Sequence, residues 1–358
     1  MSVTALAEKM PLAARRGEYR GVETVAVYSD PRTELAEMIS GCAIYDLGWR
    51  AKIELTGKDR ARWLNGMVTN NIRDLAPGRG VYAFVLTPQG RILGDLYVYN
   101  RGESFLLDTD QSQAPKLVEI FRRYIIMDKV ELIQVSDNVT AIGITGPKSR
   151  EVLRRAAIAV PRLGALQLTG LAWQGIDLTL VHGEDEQREA YEIWLAPETV
   201  DRLWAALMEA GATAVGSEVL EQYRIAAGIP AYGQDIRERD LPQETGQMRA
   251  LNFTKGCYIG QEIVERIRSR GNVHRALTGF SIDGSLPAPG TKLALDGKEV
   301  GEITSAAALP LANGERRLAL GYIRKEVAGE VLETGQTRVM ITELPFAQIF
   351  ESASDRNA

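Results

Sequence analysis

A short unit occurs twice in this chain: an alternating strand that ends in Thr-Gly and runs directly into a helix. Ile53-Glu54-Leu55-Thr56-Gly57 leads into KDRARWLNGMVTNNI, and Ile142-Gly143-Ile144-Thr145-Gly146 leads into PKSREVLRRAAI. In the first helix Trp63, Leu64 and Met67 stand at helical spacing. The second opens on Pro147, near the start, where a missing N–H costs little. Hairpin material follows each unit. VYAFVLT and RILGDLYVYN flank Pro88-Gln89-Gly90 after the first, and GLAWQGIDLTLVHG and AYEIWLAP follow the second. Strand–Thr–Gly–helix is common by chance, but the matching order that follows reads as a weak internal duplication of an α+β unit.

Further helices are predicted at PKLVEIFRRYIIM, ETVDRLWAALMEAG and SEVLEQYRIAAGI, the last ending at Gly228 and Pro230. A long polar stretch, Tyr232–Thr254, has little periodicity; a loop of that length is usually functional or a linker. A helix is then predicted over CYIGQEIVERIRSRG. After His274 come short strands with regular turn signals: HRALTGFSID, TKLALDG, KEVGEITSAA, RRLALGYIRK and TRVMITELP. That pattern predicts a small all-β barrel or sandwich. The division expected is 1–135 for a first α+β domain, 136–275 for a second, and 276–358 for the barrel, with the first two free to interleave. The final SASDRNA reads as a frayed tail.

At 358 residues the chain can bury a large core without staples. Two cysteines, Cys42 and Cys257, and two histidines, His182 and His274, are too few for a zinc ribbon, a four-Cys cluster or a His-rich metal site. No self-contained metal site is expected. The cysteine usage suits a reducing cytoplasm. Forty-two basic against 47 acidic residues leave no global field for nucleic acid. No run has the apolar length of a membrane helix, so no membrane partner is expected.

Lys255-Gly256-Cys257-Tyr258-Ile259-Gly260-Gln261-Glu262 stands out. A thiol opening a helix, beside a lysine, would favour thiolate; a small buried apolar Cys is the bland alternative. Asp95, just past the hairpin turn, points to a sheet face or a cavity wall; an exposed hairpin Asp is the bland alternative. Glu192 lies between Tyr191 and Ile193, so it faces away from the core, toward solvent or a pocket. Arg224, inside an apolar helix, could clamp a carboxylate or reach solvent. Arg266, Arg268, Arg270 and Arg275 form a basic stretch. Glu262 and Glu265 sit at ion-pair spacing, which makes a salt-laced surface; the alternative is an anionic ligand, a polyglutamate tail or RNA phosphate. His182, in a Gly/Glu-rich segment, reads as a surface residue.

KGCYIGQE, followed by the basic stretch and HRAL, resembles the signature of the YgfZ-type folate-binding proteins. These belong with the aminomethyltransferase, or T-protein, of the glycine cleavage system. LTGKDRARWLNGMVTNNI, YRIAAGIPAYGQDI, VGEITSAA and LALGYIRK resemble blocks shared across that superfamily. The resemblance covers nearly the whole chain. It implies two α+β domains and a C-terminal β-barrel in a ring around a central channel that binds tetrahydrofolate. In it Asp95, Glu192 and Arg224 match folate-contacting positions, and Tyr232 would supply an aromatic wall.

The first function implied is support of assembly or repair of [4Fe–4S] proteins and, through them, tRNA modification. Cys257 would act on a client or assembly partner, and the chain is expected to be a cytoplasmic monomer. The alternative is a folate-dependent aminomethyl or methyl transferase in which Asp95 positions the pterin. The aminomethyltransferases carry two adjacent acids after the hairpin turn, where this chain has Gly94-Asp95, and they lack the Cys of the Lys-Gly segment.

Overall fold

Period-two alternation and turn glycines sort the described residues into three large sheets and a two-stranded N-terminal hairpin, Arg15–Tyr19 with Val22–Val27. The computed structural model describes every residue except 1, 12–13, 272, 328–330, 336, 347 and 351–358, so the SASDRNA tail lies outside the described residues. The first sheet is antiparallel, in the spatial order Gly80–Leu86, Ile92–Asn100, Phe105–Asp110, Arg50–Thr56, Glu131–Gln134. The predicted hairpin joins its first two strands. Gly90 takes φ +73°, and Thr87 N–H donates to the Arg91 carbonyl at 2.8 Å. Helices Arg60–Met67 and Ala114–Tyr124 cover one face, where Trp63, Leu64, Leu117 and Phe121 pack on Ile53, Leu55, Leu96 and Val98. Each such buried side chain contributes roughly 1.5–3 kcal/mol.

The second sheet runs Leu168–Trp173, Ile176–His182, Ala190–Leu195, Thr140–Thr145, Ala43–Asp46, Thr213–Val215. Its one parallel pairing joins the last two strands. Helices Ser149–Arg155 and Val200–Glu209 pack on it through Val152, Leu153, Leu203 and Leu207. Ala43–Asp46, although early in sequence, is a strand of this second sheet, so the chain weaves between the two units. The uncovered faces of the two sheets meet at Leu47, Tyr99, Leu106, Ala141, Val181 and Trp194.

The third unit is a closed barrel of six strands: Arg275–Asp283, Lys292–Leu295, Lys298–Leu311, Gly314–Arg324, Val331–Thr334 and Thr337–Thr342. Inward residues Phe280, Leu293, Ile303, Ala319 and Val339 fill it. Helices Pro31–Ser40 and Ser217–Ala226 tie it to the second sheet through Leu35, Val219, Leu309 and Leu320. The expected class is what the chain forms: two α+β units and a C-terminal barrel. No helix among the described residues is long and apolar enough to cross a membrane.

One predicted helix is shorter than expected. The helix over CYIGQEIVERIRSRG begins only at Gln261 and ends at Arg270. Gly256 and Gly260 both take left-handed φ, +90° and +85°, which breaks any helix through Cys257. His182 is a second correction. It ends a strand, pairs across the ladder with Tyr191, and is buried, with its ring edge-on to Tyr191.

Candidate active site

Alternation along Ile92–Asn100 buries Gly94, Leu96 and Val98 against the helices and turns Asp95 and Tyr97 to the opposite face. There they line a cavity of about 250 Å³, formed where the two sheets, the Pro230–Tyr232 turn and the tip of an N-terminal hairpin converge. Asp95 is held at every polar atom. Tyr82 Oη donates to Oδ2 at 2.5 Å, and Gln113 Nε2 donates to Oδ1 at 2.8 Å. Gln113 Oε1 accepts from the Asp95 N–H at 3.0 Å, and Thr109 Oγ1 donates to its carbonyl at 2.7 Å. Burial, then the Asp95 charge, push the Tyr82 phenol well above its usual range, so it stays a donor.

A side chain at Gly94 would have to displace its neighbours. A Cβ there would stand 2.8 Å from Leu117 Cδ2 and 3.1 Å from Gln113 Oε1. A second acid at this position would therefore require the Leu117 side chain and the Gln113 amide to shift.

Glu192 faces the same cavity from the second sheet, as its position between buried Tyr191 and Ile193 predicts. Trp194 Nε1 donates to its Oε2 at 2.9 Å, and among the described residues Oε1 has no donor. Tyr45, Tyr97, Tyr82 and Tyr232 supply aromatic walls. Tyr232 Oη donates to the Leu93 carbonyl at 2.6 Å and accepts from Lys116 Nζ at 3.2 Å.

Arg224 also lines the cavity, but its five N–H groups are spent on protein. It donates to Glu221, to the Ile229 carbonyl and Asp235 Oδ2 at 2.6 Å each, and to Ser305 Oγ at 2.9 Å. It ties its helix to the following loop and to the barrel, and leaves no fork for a ligand carboxylate. Arg275 is likewise engaged, by Asp240 at 2.7 Å and Glu244 at 3.2 Å. Arg268 pairs with Glu265 at 3.0 Å, as the helical spacing predicts.

The Lys-Gly-Cys segment lies apart from this cavity. Lys255 turns inward and donates to the Asn65 and Val68 carbonyls at the C-terminal end of helix Arg60–Met67. Burial, with Arg73 nearby, pushes its ammonium down to about 7. Tyr258 packs beside it, its ring centroid 4.7 Å from Lys255 Nζ. Cys257 is exposed and unpaired, four residues ahead of the first helical residue, Gln261. The thiol therefore does not open the helix as the sequence suggested, and the Lys255 ammonium is turned to the Asn65 and Val68 carbonyls. Gly260 fits where a Cβ would approach the Thr87 carbonyl to 2.6 Å, which seats the start of this helix, with Gln261 and Glu262, on the hairpin turn.

Several lining residues have no sequence signal. Arg50 pairs with Asp108 at 2.9 Å and Asp110 at 2.7 Å, and stacks on Tyr97. Arg249 lies over Tyr82 and pairs with Glu184. Glu192, Tyr97 and Arg249 also border an outer cavity of about 480 Å³ that carries His182, Glu184, Asp185 and Arg188. Among the described residues no group of three or more His, Cys, Asp and Glu could hold a metal ion.

Comparison with known proteins agrees with this architecture. An aminomethyltransferase of Rubrobacter xylanophilus is 26% identical over 345 residues, covering 95% of this chain and 92% of that protein. One of Nostoc is 29% identical over 340 residues, covering 90% and 88%. The crystal structure of the glycine cleavage system aminomethyltransferase T from Bartonella henselae superposes with a TM-score of 0.85, over 96% of this chain and 98% of that one, at 20% identity. The family described as GCVT N-terminal domain matches residues 10–255, well over half the length, and the chain therefore belongs to that family.

Proposed function

We propose that this protein binds tetrahydrofolate in the Asp95–Glu192 cavity and transfers an aminomethyl or methyl group to or from it. The observation that carries the reading is the pairing, in one aromatic-walled cavity, of two carboxylates on opposite sheets. The free Glu192 Oε1 suits the N–H edge of an aminopyrimidine ring. Asp95, fixed by Tyr82 and Gln113, is an acceptor aimed at the amine end of such a ring. Tyrosine faces suit a flat heterocycle. The relatives are named aminomethyltransferases, which supports the same class of reaction.

The test is calorimetry with tetrahydrofolate on the wild type and Glu192→Ala. Binding by the wild type, weakened by about tenfold or more in the variant through loss of a charged acceptor, is expected. A wild type that releases no binding heat and forms no methylene-tetrahydrofolate from an aminomethyl donor would reject the proposal.

A second reading is favoured by one feature. The Lys255–Ile259 loop is stitched to the first α+β unit by Lys255 and by Ile259 N–H, which donates to the Gly66 carbonyl at 3.1 Å, and it presents Cys257 outward. An exposed thiol on a fixed loop, outside the cavity, suits action on another protein. In that reading the chain supports iron–sulfur proteins and, through them, tRNA modification. Cys257→Ala would lower [4Fe–4S] enzyme activities in cells while leaving the urea midpoint unchanged. Full complementation of a knockout by the variant would remove this role.

A further inference from the structure

We propose that Gln113 is a positioning residue, whose carboxamide fixes the Asp95 side chain as an acceptor aimed into the cavity. This rests on the folate reading for its ligand, but not for its geometry. Gln113 precedes helix Ala114–Tyr124 and is 3% exposed. Its backbone is fixed on both sides: its N–H donates to the Asp110 carbonyl at 2.9 Å, and its carbonyl accepts from Leu117 N–H at 3.0 Å. Its side chain reaches across the sheet and grips Asp95 at two points, the N–H through Oε1 and the carboxylate through Nε2. The two contacts fix the amide's orientation. A flipped amide would set oxygen against carboxylate and N–H against N–H.

The grip has a chemical consequence. Nε2 can donate and cannot accept, so the Oδ1 lone pair that it meets is an acceptor while the clamp is closed. Tyr82 donates to the other oxygen. Asp95 is thereby held in one orientation, with its remaining lone pairs free for ligand N–H groups. Among the described residues no other side chain supplies both contacts. Gln113 does not line the cavity, so it acts only through Asp95.

The experiment follows tetrahydrofolate affinity against pH, by tryptophan fluorescence, for the wild type, Gln113→Leu and Gln113→Glu. Leucine keeps the bulk and removes both contacts, so binding weakens by about tenfold at every pH, the scale of one charge-assisted hydrogen bond. Glutamate, when ionised, sets a second carboxylate against Asp95 and weakens binding further. When protonated it reproduces the carboxamide: O–H donates to Oδ1 and C=O accepts the Asp95 N–H. Gln113→Glu is therefore rescued as the pH falls, and Gln113→Leu is not.

Equal losses for both variants at every pH, or wild-type affinity in Gln113→Leu, would overturn the proposal. A ligand-free readout separates it from the folate reading: the carboxyl ¹³C resonance of Asp95 moves in Gln113→Leu if Gln113 holds it. A wild type that binds no tetrahydrofolate, yet shows that displacement, rejects the ligand and keeps the positioning role. An unmoved resonance rejects the role.

Discussion

Asp108→Ala is expected to cost about 3–5 kcal/mol of folding stability, read as a fall in the urea midpoint. Asp108 is fully buried between the two sheets. Its carboxylate accepts from Arg50 Nε at 2.9 Å and faces Lys52 Nζ at 2.7 Å. Lys52 is itself fully buried, and its ammonium lies 4.7 Å from the Trp194 ring centroid. Removing the carboxylate leaves Arg50 with Asp110 but strands Lys52 in an apolar seam. The double variant Lys52→Met/Asp108→Leu removes both charges and should recover most of the loss. A single variant as stable as the wild type would mean that water reaches the seam.

The same pair gives stability a pH sign. Burial alone would push the Asp108 carboxyl up, but Arg50 and Lys52 overcome it and hold the group below its usual range. The unfolded chain therefore takes up this proton first as the pH falls. The stabilisation is complete above the unfolded value of about 4 and is lost on acidification below it.

Asp95→Asn should have the largest effect on activity. Asparagine preserves size and removes the charge. Its NH₂ must also face either Gln113 Nε2 or Tyr82 Oη, both of which donate to Asp95. A loss of about 10²–10³ in transfer rate is expected, the scale of removing one fixed electrostatic contact to a reacting centre. The rate is measured with tetrahydrofolate saturating, and affinity is followed in parallel. A turnover equal to wild type would remove Asp95 from the chemistry and leave it a binding residue.

What the sequence made readable was local. Alternation in the Asp95 and Glu192 strands, with Pro-Gln-Gly between the hairpin arms, put each carboxylate on the face opposite the core. That both faces border one cavity depends on the packing of the two sheets, which no periodicity records. Arg224 shows the same limit. The sequence marked a cation in an apolar helix, but its partners, Asp235 and Ser305, arrive from a loop and from the barrel. Gln113 had no signal at all, because its contacts run across the sheet to a strand formed earlier. Cys257 was misplaced for a different reason: helical residue types begin at Cys257, but two left-handed glycines override them.

The tight seat of Gly94 constrains how this chain could change. Any route by which it gained a second acid beside Asp95 would have to pass through Leu117 first. Mutating Gly94 alone drives a side chain into Leu117 and the Gln113 amide before any charge can be used. A smaller residue at Leu117 would open that space at the cost of a cavity beneath the sheet. Either first step therefore carries a packing cost. This protein and a two-acid relative would be neighbours in fold yet separated by a valley in sequence space.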